Sequence, residues 1–242
     1  MIRKFTFVLL LIFCFSFSAF SQSVIIKPKK ITYKRPKPIQ DFKKSFVLIR
    51  PQVKAATPAI SRKIEAAISY EKNNDFDLKG EMGEFQWLEE ASYEVKYNKN
   101  SLLDIILMSE GLAAYPSAII KEVVIDTKTG NRLTAAEVFI NLKNLAEKIR
   151  NSQKLEIKKA IAKTKKDEPD FENPEELFAD ANFTIKNLDD FSVSDKGITF
   201  LYDYAFVHAI QALQPEGRFF YSWTELKPLI KSSGTLNKFI RR

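Results

Sequence analysis

Few residues in this chain have side chains suited to chemistry. His208 is the only histidine among 242 residues, and it lies in an apolar run from Phe206 to Leu213. Histidine triads, histidine metal sites and zinc-activated water all need more partners than one such residue offers. The only cysteine, Cys14, lies in an apolar N-terminal segment, so removal of that segment leaves no thiol for a disulfide, a zinc site or a nucleophile. The sequence therefore predicts no metal site and no cofactor.

Paired carboxylates are the remaining candidates for acid–base chemistry. Adjacent pairs occur at Glu89–Glu90, Glu175–Glu176 and Asp189–Asp190. Neighbouring side chains in a strand point to opposite faces, so these pairs do not converge if they lie in strands. The seven glycines form no phosphate-binding loop. A glycosidase-type pair brought together from distant positions stays open as an alternative, and no catalytic residue is assigned.

The N-terminal segment, residues 1–21, predicts a secretory signal peptide. Arg3 and Lys4 give the charged start, Phe5 to Phe17 the apolar centre, and small residues end at Ser21, before Gln22. A permanent anchor is the alternative, but a spanning helix needs about 20 apolar residues and this run is shorter. We therefore expect an exported protein, periplasmic or extracellular, for which nucleic acid is not a partner.

Positive charge is concentrated just after this segment. The whole chain has 38 basic and 30 acidic residues, and ten of the basic residues lie between Ser23 and Lys54 beside Asp41 alone. With Pro28, Pro36 and Pro38, residues 22–44 are typical of an extended, partly polyproline II arm. Such an arm either contacts an anionic envelope surface or is a solvated leader with no role of its own.

The elements that would position any site centre on residues 101–139. Leu102–Met108 and Ser117–Asp126 are rich in Leu, Ile and Val and predict two strands. Trp87–Tyr97 alternates apolar and polar residues and ends in a turn, so the three strands should be neighbours in a meander. Thr134 and Glu137 have the spacing of a capping box and predict a helix start.

Flanking elements complete the prediction of an α+β domain over residues 45–242, with an antiparallel β-sheet (the meander plus C-terminal strands) and helices packed against it. Upstream, an apolar strand precedes a helix that Thr57 caps. The other predicted elements are a helix from Thr134 to Ile149, a recapped segment from Asn151 to about Lys163, a short helix from Asn173, strands at Phe183–Asn187, Phe191–Val193, Ile198–Tyr202 and Arg218–Tyr221, a helix at Ala205–Leu213, and a capping box from Ser222 to Glu225.

Three runs resemble the motifs of a known family. Val124–Phe139 (VIDTKTGNRLTAAEVF), Ser194–Tyr204 (SDKGITFLYDY) and Phe220–Leu226 (FYSWTEL) are similar to the signature of a bacterial domain of unknown function. That domain forms the outer half of RsiV-type lysozyme-sensing anti-sigma factors and accompanies PdaC-type peptidoglycan deacetylases. The resemblance covers about residues 91–230. It departs from the family at Tyr115, where the family often carries a histidine before a proline.

The candidate binding residues are Tyr115, Tyr204, His208 and Arg218. They lie in or beside two long connections, Gly111–Ser117 and Tyr202–Gly217, where recognition commonly resides on a rigid scaffold. The alternative is that Ala205–Leu213 only caps the core.

The sequence and the resemblance together predict a non-enzymatic, envelope-associated binding module. The resemblance implies an extracytoplasmic protein partner such as a lysozyme-like hydrolase, and a cell-wall polymer is a further partner to consider. The alternative is a peptidoglycan hydrolase, or an accessory domain of a deacetylase, that uses distributed carboxylates.

Overall fold

The structure, a computed structural model, describes residues 23–74 and 76–241. The predicted signal peptide at residues 1–21 lies outside the described residues. In the described chain the strands are β1 (Ile25–Lys34), β2 (Ser45–Lys54), β3 (Leu88–Lys99), β4 (Leu102–Leu112), β5 (Pro116–Asp126), β6 (Asn131–Arg132), β7 (Phe191–Val193), β8 (Gly197–Leu201) and β9 (Arg218–Ser222).

Helices fill the connections and the C-terminal part of the described chain. The α-helices are α1 (Pro58–Ala67), α2 (Tyr70–Asn73), α3 (Leu78–Met82), α4 (Ala135–Val138), α5 (Leu142–Asp167), α6 (Trp223–Leu226) and α7 (Asn237–Ile240). Short 3-10 helices span Pro174–Phe178, Ile185–Asp189, His208–Leu213 and Lys227–Leu229. Within the described ranges, none of these helices has the length and apolar character that a membrane span requires.

Six strands form the larger sheet in the order β1-β2-β3-β4-β5-β6. The predicted meander is confirmed, because β3 pairs with β4 and β4 with β5, both antiparallel. The pair β2–β3 is parallel, since the connection through α1, α2 and α3 returns the chain in the same direction. One face of this sheet packs against these helices through a core that includes Leu48, Ile64 and Leu103.

The other face of the larger sheet packs against a second layer. Strands β7, β8 and β9 form a small antiparallel sheet, and with α4 and α5 they enclose a core in which Leu102 and Val124 meet Phe139, Phe191 and Phe200. Two layers of sheet with helices on separate faces make an α+β fold, as the sequence predicts.

The expectation of an extended, partly polyproline II arm outside the domain over residues 22–44 is corrected by the structure. Residues Ile25–Lys34 form β1, which pairs with β2 along its whole length. Most of this strand is exposed, and only Ile26, Ile31 and Tyr33 are partly covered. Tyr33 stacks on Phe46 of β2 with ring centroids 5.1 Å apart. The sheet therefore begins at Ile25 and not at residue 45.

Three further predictions differ from the observed elements. Phe183–Asn187 is not a strand, because Thr184 and Asn187 cap the 3-10 helix that begins at Ile185. The helical region breaks at Asn141 and not at Asn151, so α5 runs without interruption to Asp167. Ala205–Leu213 is helical only from His208 onward, as a 3-10 helix. The predicted capping box is confirmed, since the Thr134 amide donates to Glu137 Oε2 at 3.0 Å.

Candidate functional site

Two of the predicted binding residues are in contact. The rings of Tyr115 and His208 stack with centroids 4.9 Å apart and an interplanar angle of 18°. Tyr115 lies in the turn between β4 and β5, and His208 begins the 3-10 helix in the connection between β8 and β9. The stack therefore joins the two connections that the sequence singles out, and 62% of Tyr115 stays exposed to solvent. We call this stack the hairpin–loop contact.

The hairpin reaches this loop because its outer half extends beyond the second sheet. In β5 the residues from Pro116 to Lys121 are exposed, whereas those from Glu122 to Asp126 are buried. The outer half is supported by Trp87, whose Nε1 donates to Ser117 Oγ at 2.9 Å and whose carbonyl accepts from the Leu112 amide at 3.0 Å. A side chain at Gly111 would lie 2.2 Å from that carbonyl, so the close approach requires glycine.

Exposed apolar side chains occur on the elements that carry the hairpin–loop contact. Ile120 on β5, Val207 in the loop and Phe220 on β9 each have more than half of their surface accessible. Aromatic side chains are enriched among the anchors of protein interfaces, and contiguous exposed apolar surface often marks an interaction site. The arrangement is therefore suited to binding a partner surface.

Tyr204 has a different environment. Its hydroxyl donates to Glu156 Oε2 on α5 at 2.7 Å, and its ring meets the edge of Phe178 with centroids 5.6 Å apart. Burial and the Glu156 carboxylate raise the pKa of Tyr204 above its usual value. Glu156 Oε1 also accepts from the Gly217 amide at 3.2 Å. Tyr204 therefore anchors the loop to α5, as in the alternative that this segment caps the core.

The same loop lines one side of a cleft against α5. Its volume is about 590 Å³, and charges of both signs surround it. Its lining includes Glu156, Lys159, Lys163 and Asp167 of α5 and residues 212–216 of the loop. The predicted segment Tyr202–Gly217 thus borders a concave surface, although Tyr115 and His208 do not line it.

Arg218 lies apart from the stack and covers a buried acid. Its Nη2 is 3.6 Å from Glu122 Oε2, and the Glu122 side chain is only 3% exposed whereas that of Arg218 is 44% exposed. The sequence-predicted set is therefore divided by the structure: Tyr115 and His208 meet, Tyr204 is structural, and Arg218 pairs with Glu122.

Sequence reasoning missed a buried carboxylate pair. Asp104 on β4 is fully buried, and its Oδ2 accepts from Ser192 Oγ at 2.8 Å and from the Val193 amide at 2.7 Å. Asp104 Oδ1 and Glu122 Oε1 are buried without a hydrogen-bond partner in the described chain. Burial, and secondarily the Glu122 charge, raises the pKa of Asp104 to about 7, against smaller opposing effects from its two hydrogen bonds and Lys96.

The strand register explains this proximity. Asp104 pairs with Val124 and Ile106 with Glu122, so the two acids are diagonal neighbours on one face of the larger sheet. An acid with a pKa near 7 beside a second carboxylate is suited to holding one proton and exchanging it near neutrality. The signal in the sequence is an acid placed among apolar residues in each strand, Asp104 in LLDIILM and Glu122 in IIKEVVI. Across residues 23–74 and 76–241, no three His, Cys, Asp or Glu side chains are grouped so as to hold a metal ion.

Comparison with known proteins adds information on the fold. No protein-family model matches the sequence, and no curated protein matches it. Solved structures do match, and two of them are described here. The chain has the fold of DUF3298 family proteins. The protein from Pseudomonas aeruginosa PAO1 has a TM-score of 0.56 at 11% identity, over 87% of this chain and 95% of its own. The protein from Bacteroides fragilis NCTC 9343 has the same score and identity, over 92% and 100%.

At 11% identity this likeness concerns the fold alone. It agrees with the predicted resemblance to a bacterial domain of unknown function. Tyr115, where the resemblance predicts a histidine, lies in the hairpin–loop contact.

Proposed function

We propose that this protein is an exported, envelope-associated binding module without enzymatic activity. Its ligand is an extracytoplasmic protein, and the resemblance to RsiV-type domains favours a lysozyme-like hydrolase. The observation that carries the proposal is the hairpin–loop contact, in which Tyr115 stacks on His208 while most of its own surface stays exposed. An exposed aromatic ring held in one orientation loses little conformational entropy on binding, as is typical of interface anchors.

Charge supports an envelope location. Lys27, Lys29 and Lys30 on β1 are exposed, and the formal net charge of the chain is +8. A basic strand at the edge of the sheet attracts anionic polymers and lipid surfaces, and this attraction weakens as salt concentration rises. The basic strand would thereby keep the module near the cell wall or membrane while the hairpin–loop contact binds the partner.

Tyr115→Ala tests the proposal. Titration of the purified exported protein with lysozyme, followed by calorimetry, should show binding that weakens about tenfold or more in the variant, as expected for an interface anchor. Ile25→Ala is the matched control, because it also shortens an exposed apolar side chain but at the opposite edge of the sheet. Equal affinity of the Tyr115 variant and the parent would contradict a role for this surface.

A peptidoglycan hydrolase is the second candidate function. The observation in its favour is the Asp104–Glu122 pair, in which one acid has a pKa near neutrality. Against it stands the burial of both carboxyl groups, since a polymer would first have to displace Arg218 from Glu122. Release of soluble sugars from peptidoglycan that is lost in Glu122→Gln would favour the hydrolase. No turnover, with binding intact, would favour the binding module.

A further inference from the structure

The outer edge of β5 carries unpaired backbone groups. Beyond β5 the short strand β6 pairs only with Ile125 and Asp126, and the Leu133 amide donates to the Val124 carbonyl at 2.8 Å. Backbone groups in an antiparallel strand point alternately to the two sides. The register between β4 and β5 has no bulge. The groups of Ala118, Ile120 and Glu122 therefore point away from β4, as those of Val124 do.

These outward groups have no partner within residues 23–74 and 76–241. No backbone or side-chain hydrogen bond of the described chain reaches the N–H or C=O of Ala118, Ile120 or Glu122. The side chains of Ile119 and Ile120 beside them are exposed. An exposed apolar edge of this kind is a template for pairing with another strand.

The opposite edge of the sheet is protected in a way that β5 is not. Strand β1 carries three lysines and Pro28 at its exposed centre, and such residues discourage edge-to-edge pairing. The free part of β5 contains one lysine, Lys121, and its proline lies at its very start, at Pro116. The contrast indicates that the β5 edge is left open for a partner.

We propose that the chain pairs with a second copy of itself through the outer edge of β5, antiparallel, with Ile120 opposite the partner's Ile120. The proposal does not depend on the identity of the ligand. In this register Ala118 lies opposite the partner's Glu122, so all three outward residues of each copy form hydrogen bonds, roughly six in total. If the register were shifted by two residues in one direction, Glu122 would lie opposite the partner's Pro116, which has no N–H. If it were shifted by two residues in the other direction, Lys121 would lie opposite the partner's Lys121.

The register is also compatible with the side chains. Lys121 lies opposite the partner's Ile119, and Glu122 opposite the partner's Ala118, so no like charges face each other. On one face the two Ile120 side chains cover each other, which removes apolar surface from water. Hydrogen bonding, charge and apolar burial thus agree on one pairing.

The mass of the purified exported protein in solution tests the pairing, by analytical ultracentrifugation from about 1 to 100 µM. We expect a dimer, and in Ile120→Pro a rise in its dissociation constant of about tenfold or more. The Ile120 N–H points away from β4, so the proline spares the β4–β5 hydrogen bonds and the melting temperature should stay near that of the parent. A protein that is monomeric throughout this range would overturn the proposal.

Cross-linking tests the register. Paired residues across such a strand lie about 5.5 Å apart at Cα, within reach of a disulfide. Ile120→Cys, in a chain whose only other cysteine is Cys14 in the predicted signal peptide, should therefore give a covalent dimer on mild oxidation. The control is Ala118→Cys, whose two copies would lie about 14 Å apart along the strands. A dimer that cross-links equally through both variants, or through neither, would overturn the proposed pairing.

Discussion

The guanidinium of Arg35 donates to the carboxylate of Glu81 inside the protein, with Nη2 and Oε2 3.2 Å apart. The Arg35 side chain has no exposed surface, and its other donors reach the carbonyls of Lys43, Glu81 and Leu88. It also lies over the Phe46 ring at 4.9 Å. A residue that the sequence places in a basic arm thus fastens the end of β1 to α3 and the start of β3.

Arg35→Met should destabilise the fold by about 3–5 kcal/mol, because removal of one partner leaves the Glu81 carboxylate buried and uncompensated. Chemical denaturation gives the free energy of unfolding. The control is Lys34→Met, which removes a neighbouring exposed charge and should change stability by about 0.5 kcal/mol or less. If the two variants lost similar free energy of unfolding, the buried ion pair would contribute no more to stability than an exposed lysine does.

Asp104 should make stability depend on pH. Its pKa is raised from the usual 3.8 to about 7 in the folded protein, so the folded state binds a proton more tightly than the unfolded state does. The free energy of unfolding should therefore fall as pH rises from about 4 to about 7, by an amount on the order of 4 kcal/mol, and change little beyond.

Asp104→Asn removes this titration and keeps an oxygen that can accept from Ser192 and Val193. Measured at pH 4.5 and 7.5, the variant should lose less stability across the interval than the parent. The other ionisable groups that act on Asp104 are Glu122 and Lys96, and Arg218 is paired with Glu122. If parent and variant have parallel pH profiles, Asp104 does not hold the proton.

Tyr204→Phe should cost about 1.5 kcal/mol of stability, because it removes a hydrogen bond to the Glu156 carboxylate. Ligand binding at the hairpin–loop contact should stay unchanged, since the ring packing on Phe178 is kept. Tyr115→Phe is the matched control and should leave stability unaltered, because the Tyr115 hydroxyl bonds to nothing in the described chain. Thermal melts of each variant measure stability and one ligand titration of each measures affinity, so the two measurements separate a structural role from a binding role.

Gly217→Ala should destabilise the fold by about 3 kcal/mol or more. Its φ of +61° is costly for alanine, and a Cβ would lie 1.9 Å from the Tyr202 carbonyl oxygen. Gly234→Ala is the control, since its Cβ would meet nothing closer than 3.4 Å. Equal melting temperatures for the two variants would show that the loop relaxes around residue 217 at no cost.

Local signals account for the parts of the fold that sequence predicts. The capping boxes at Thr134 and Ser222 need only residues three positions apart, and both form. The β3–β4–β5 meander follows from short turns between apolar strands. The prediction fails at β1, where the many lysines and the proline favoured an extended arm over a strand. The contact of Tyr33 with Phe46 on β2 depends on the tertiary structure, so the sequence pattern does not indicate it.

The candidate site depends on contacts that sequence spacing does not encode. Asp104 bonds to Ser192, 88 positions later, and Tyr115 meets His208 only because the outer half of the hairpin extends beyond the second sheet. The two long connections contain the two predicted residues whose rings stack, Tyr115 and His208. The partners of Tyr204 and Arg218 follow from how α5 and β5 pack, which requires the tertiary structure.

Amide hydrogens along β5 should exchange with solvent at two different rates. Those of Ile119 and Lys121 point toward β4 and are released only when the hairpin opens, whereas those of Ala118, Ile120 and Glu122 point away from β4. Slow exchange at the first pair measures the opening free energy of the hairpin. Exchange at the other three amides measures how long a second copy stays paired with this edge of β5. One deuterium-labelling experiment on this strand therefore reports the opening of the hairpin and the lifetime of the dimer.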